Sequence, residues 1–155
     1  GGFYPPECFL LPRKLIDFSG HWNENITLND DGEFFFRILY NSKKIIFCDS
    51  THVYHRKSKS DGDNLSLLDS SIKANHLINS WKIIEALYNA KFDDENSSYI
   101  SKKKHAVYYE IKRAYPTLIA KNKFFFKQQI KADTIITRFT KLYSRVLKKL
   151  ITICE

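Results

Sequence analysis

The stretch Asn29-Asp30-Asp31-Gly32-Glu33-Phe34-Phe35-Phe36-Arg37 constrains the fold more than any other, because a dense acidic turn passes directly into an aromatic run. Apolar residues then recur at helical spacing, at Phe34, Phe35, Ile38 and Leu39, which predicts a helix over Glu33 to Tyr40 with Asp30 and Asp31 at its mouth. The unpaired N–H groups of a helix N-terminus favour ionised carboxylates there. Two uses follow. Asn29 or Asp30 caps the helix and Glu33 completes a capping box, or the acidic pair faces a ligand.

The chain has 155 residues, enough for one domain with a core. It contains no Met and opens on Gly1-Gly2-Phe3 followed by an aromatic-proline stretch, so it reads as the C-terminal piece of a longer protein. With five Gly in all, no phosphate-cradling Gly-rich loop is expected. Cys8, Cys48 and Cys154 are far apart and lack metal-ligand spacing, which reads as reduced thiols of a cytoplasmic protein. Neither a signal peptide nor an apolar run of about 20 residues is present. The charge is uneven: Lys121 to Glu155 holds nine basic and two acidic residues, so +7 of the net +8 falls there.

Local signals order the rest. Pro5-Pro6 gives an extended start, and Phe9 to Leu11 reads as a short buried strand. Pro12 opens a brief helix over Arg13 to Phe18 that ends at Gly20, where a positive φ costs least. Lys44 to Cys48 is β-branched and aromatic and reads as a strand, with a second extended run over His52 to Arg56. From Leu65, apolar residues including Leu77, Trp81, Ile84 and Leu87 predict one long helix to about Asn89-Ala90. A second helix is expected over Ser101 to Ala120, ended or kinked by Pro116, with Phe124 to Phe126 anchoring the chain. The last, Asp133 to Ile153, has Ile136, Phe139, Leu142, Tyr143, Val146, Leu150 and Ile151 as an apolar face opposite Lys141, Arg145, Lys148 and Lys149. Packing on its own domain is the expected use of that face, ahead of a partner or an anionic membrane surface.

Taken together, Phe9-Leu10-Leu11-Pro12-Arg13, Ser19-Gly20-His21-Trp22-Asn23-Glu24, the acidic turn with its helix arginine, Lys44 to Phe47 and Tyr54-His55-Arg56 resemble, in order and spacing, the second half of the catalytic domain of family 2 glycosyltransferases. The resemblance covers about residues 7 to 60. It implies an α/β fold, the acceptor-side half of a GT-A nucleotide-diphospho-sugar transferase domain over residues 1–62, followed by a helical extension over 63–155, helix-rich overall. It further implies a hexosyltransferase-like enzyme of bacterial polysaccharide biosynthesis, moving a sugar from a nucleotide-diphosphate donor to a saccharide or lipid-linked acceptor.

The roles carry over residue by residue. Asp31, six residues before Arg37, takes the place of the general base, and Asp30 orients the acceptor. Trp22, Asn23 and Glu24 fall in the acceptor region, where an indole stacks on a pyranose or simply packs. Arg56, Ser58 and Ser60 belong to a loop that would clamp the diphosphate, and His55 would reach the metal. The divalent cation, Mn²⁺ or Mg²⁺, would be ligated mainly by the half that precedes this segment, since Asp61-Gly62-Asp63 follows the acidic pair and reads as an ordinary turn. The segment alone is then expected to be inactive, and to self-associate through uncovered sheet edge. Peripheral contact with the inner face of the membrane is a further expectation. The alternative is a non-catalytic basic module that binds nucleic acid or anionic membrane through the Lys-rich C-terminal helix, nucleic acid being the less favoured partner.

Overall fold

The structure, a computed structural model, describes residues 4–54, 66–92 and 97–153, with side chains to residue 144. A 3₁₀ turn at Pro6–Cys8 leads into α1 (Arg13–Ser19), α2 (Asp30–Asn41), α3 (Ser71–Phe92), α4 (Ser98–Ala114), α5 (Pro116–Lys121) and α6 (Lys127–Ile153). No β-strand occurs among the described residues.

That finding overturns the α/β expectation. A strand is held by a ladder to its neighbour, and β-branched composition only says that a segment would suit such a place. Lys44 to Tyr54 carries the composition but has no ladder partner among the described residues, and Ile45, Ile46 and Phe47 are exposed. Phe9 to Leu11 fails as a buried strand for the same reason. Leu10 is 98% exposed, while Phe9 stacks on Phe35 at 4.2 Å between ring centroids.

The chain divides into two compact units, Gly1–Ser97 and Ser98–Glu155. Helix α3 packs on α2 and shares the core of the first of these units. In the first unit, Ile26, Leu28, Phe34 and Ile38 are buried together with Ala74, Leu77, Ile78, Trp81 and Ile84 of α3. Those five recur at three- and four-residue steps and so lie along one face of α3.

In the second unit Pro116 divides what reads as one helix. The residue before a proline is driven from helical geometry, and Tyr115 sits at φ −138°, ψ 62°, with Pro116 opening α5 where its missing N–H costs nothing. Ile100, Val107, Tyr108 and Ile111 of α4 and Leu118 and Ile119 of α5 form the core with Phe126, which is wholly buried. Asp133 ties the start of α6 to α4, accepting from Lys112 Nζ at 2.7 Å and from the Tyr108 hydroxyl at 3.3 Å. Lys112 holds the Asp133 carboxyl below the usual aspartate range, and burial, followed by the Asp133 charge, raises the Tyr108 phenol.

The apolar face of the last helix does not pack intramolecularly where its side chains are described. From Thr134 to Ser144 every residue is exposed. The polar steps of α4 and α5 explain this: their apolar positions are already used on one another and on Phe126.

Candidate functional site

The acidic turn is built on a left-handed residue. Asn29 is the N-cap of α2 at φ 60°, ψ 29°, a conformation that asparagine tolerates better than most side chains. The capping box does not form. Asn29 Oδ1 makes no cap; instead its Nδ2 donates to Ser80 Oγ at 2.9 Å, and Ser80 Oγ donates to the Leu77 carbonyl at 2.9 Å. Thr27 joins the same side of α3, with its N–H donating to His76 Nδ1 at 3.3 Å. The mouth of α2 is thereby fixed to α3 by two polar contacts.

Glu33 turns away from the box as well, toward Arg37 one turn later. Its two oxygens accept from Arg37 Nε at 2.5 Å and from Nη2 at 3.0 Å. The remaining donors cross to the loop after α1: Nη1 to the carbonyls of Ser19 at 2.6 Å and Gly20 at 2.8 Å, Nη2 to that of His21 at 2.9 Å. A guanidinium has five N–H donors, and all five are used. Gly20 lies at φ 87°, which strains any L side chain, and a Cβ there would stand a tight 3.1 Å from Arg37 Nη1.

This hub sets the loop that carries Trp22. The indole packs on Phe34 at 4.7 Å between centroids and meets Phe35 edge-on at 6.4 Å. Its Nε1–H donates to Asp30 Oδ2 at 3.2 Å, and 39% of the residue remains exposed. Asp31 is half-buried, and its Oδ1 accepts from the adjacent Gly32 N–H at 2.7 Å. Asn23 closes a local turn by accepting from the Asn25 N–H at 3.1 Å, and Glu24 is exposed beside it.

Of the residues singled out by sequence, the structure thus joins Trp22 to Asp30 directly and sets Asp31 next in the chain at the same helix end. Asn23 serves the loop's own turn. His55, Arg56, Ser58 and Ser60, with Asp61-Gly62-Asp63, lie outside the described residues. Two open depressions, lined by Tyr109, Glu110, Lys112 and Arg113 and by Ile135, Arg138, Phe139 and Leu142, belong to the second unit and not to Asp31.

The residue expected to reach a divalent cation, His55, lies outside the described residues. Among the described residues no group of three or more His, Cys, Asp or Glu is placed to hold a metal ion. Sequence reasoning missed Glu33 as the arginine's partner, although its i, i+4 spacing was readable. It also missed Ser80, which no local signal connects to Asn29.

No family model, no curated protein and no solved structure matches this chain.

Proposed function

We propose that the mouth of α2 is the acceptor-activating site of an inverting glycosyltransferase of the kind that family 2 comprises. The observation that supports this most is the direct contact between the half-open Trp22 indole and Asp30, one residue from Asp31, on a loop locked by Arg37. A sugar ring stacks on such an indole through its apolar face and donates hydroxyls to the neighbouring carboxylates. Asp31 has one oxygen held by the Gly32 N–H, which orients the group and leaves Oδ2 to face an acceptor hydroxyl.

In the proposed reaction the acceptor oxygen attacks the anomeric carbon from the side opposite the leaving group. Asp31 Oδ2 takes the hydroxyl proton as the new C–O bond forms. The nucleoside diphosphate departs with the electron pair of the broken bond. Asp30, tethered to the indole, holds the acceptor in line. The nucleotide-sugar donor and its divalent cation would be bound by groups other than those described, and no step is assigned to the cation.

The test is nucleoside diphosphate release by the complete protein across a panel of nucleotide-sugars, with and without saccharide acceptors. Asp31→Asn should cut acceptor-dependent turnover by roughly a hundredfold or more, the scale of a general base, with donor affinity unchanged. Turnover that survives Asp31→Asn would make Asp31 only part of the helix start.

A further inference from the structure

Helix α6 spans 27 residues, Lys127–Ile153, and among its described side chains those that pack lie at its start. Gln129 is buried, Ile130 half-buried, and Asp133 holds Lys112. From Thr134 to Ser144 the side chains are exposed, the large apolar ones among them: Ile135, Ile136, Phe139, Leu142 and Tyr143 are 44% to 67% exposed. At 100° per residue, 135, 139 and 142 form one row, with 136 and 143 beside it, so all five share a face. Lys127, Lys131, Arg138 and Lys141 follow each other at four-, seven- and three-residue steps and form a separate basic row. The hydroxyls of Thr134, Thr137 and Thr140 donate to carbonyls one turn back, at 2.8, 2.8 and 3.1 Å.

The occupant of this face follows from charge. Against the four basic residues of 127–141 the only acid is Asp133, already neutralised by Lys112. A second copy of α6 would bring like charge onto like. A nucleic acid would use the basic row and leave the apolar row in water. An anionic bilayer surface uses both, since the acyl boundary accepts the apolar row and the headgroup phosphates the cations. Among the described residues no helix is long and apolar enough to cross a membrane, so the helix lies in the plane of the surface.

We propose that α6 seats Ile135, Ile136, Phe139, Leu142 and Tyr143 in the headgroup boundary of an anionic bilayer, with Lys131, Arg138 and Lys141 on lipid phosphates. This stands apart from the glycosyltransferase reading, and either can fail without the other.

The test is co-sedimentation of the full chain with phosphatidylcholine vesicles, with and without phosphatidylglycerol. Binding should need the anionic lipid. Arg138→Gln with Lys141→Gln should weaken it roughly twentyfold, from about fivefold per basic residue near such a surface. Phe139→Ser with Leu142→Ser should weaken it on the order of a hundredfold, as expected for two large side chains no longer buried. Both variants should keep the parent thermal transition, because neither pair touches the core. Equal binding to neutral and anionic vesicles would overturn the proposal, as would an undiminished Phe139/Leu142 variant. So would a concentration-dependent dimer in lipid-free buffer that the same variant abolishes.

Discussion

Replacing Arg37 by Ala should destabilise the first unit more than any other exchange of a polar residue. Glu33 is 1% exposed and, among the described residues, its charge is met by Arg37, so the variant leaves a buried anion without that partner. Removing one member of a buried ion pair costs about 3–5 kcal/mol. Of the three freed carbonyls, that of His21 is on an exposed residue and can rehydrate, while those of Ser19 and Gly20 are on half-buried residues and add to the cost. That loss is roughly a fifth or more of the total stability, which for a domain is on the order of 5–15 kcal/mol. Urea unfolding followed by tryptophan fluorescence reads it cleanly, because Trp22 and Trp81 are the chain's two tryptophans and both lie in the first unit. At about 1.5 kcal/mol per M, 3 kcal/mol moves the midpoint by about 2 M. Glu33→Leu combined with Arg37→Leu should recover at least half of the loss, since no charge is then left buried alone. A cost below about 1 kcal/mol for Arg37→Ala, or a double variant as unstable as the two singles summed, would refute the buried-charge reasoning.

Gly32→Ala should destabilise by about 1–3 kcal/mol although alanine is the better helix former, because the added Cβ would meet Asn29 Oδ1 at 2.3 Å and displace the side chain that holds Ser80; a rise in the urea midpoint would show that Asn29 gives way freely. Gly20→Ala should likewise lower the midpoint, since its φ of 87° strains any side chain. Asp133 has a folded pKa below its unfolded value, so its contribution is full above about pH 4 and is lost as pH falls through the folded value; Lys112 is shifted upward by the same bond, so its share is full below about pH 10 and is lost as pH rises. Thermal melts by circular dichroism should show both limbs for the second unit, and Asp133→Asn should flatten both. An unchanged acid limb in that variant would assign it elsewhere.

What the sequence made legible was local. Gly20 as the stop of α1, Pro116 as the break before α5 and the apolar steps of Phe34 and Ile38 each report on their own few residues, and the structure follows them. The strands misled because Ile45, Ile46 and Phe47 have β-forming side chains, while a ladder needs a second segment that composition does not name. At the site, the pairing of Trp22 with Asp30 spans eight residues and Arg37 reaches back eighteen to Ser19. Spacing suggested the acidic pair but could not say that Glu33 would serve Arg37, since a carboxylate at that position fits a capping box equally well. A change in pattern near residue 62 says nothing of packing, and α3 shares a core with α2.

Between Thr134 and Ser144, every side chain of α6 is exposed, and the bonds described there are its own backbone ladder and its hydroxyls to carbonyls one turn back. A stretch so short is marginal in water, and its three threonines are poor helix formers. Its winding is therefore coupled to whatever it lies upon, and amide exchange along α6 should quicken after Asp133 in buffer and slow again on vesicles. The ordering penalty is then subtracted from every affinity measured there. Thr137→Ala, which would raise helicity in water while leaving the apolar row unaltered, should tighten adhesion without adding a single contact.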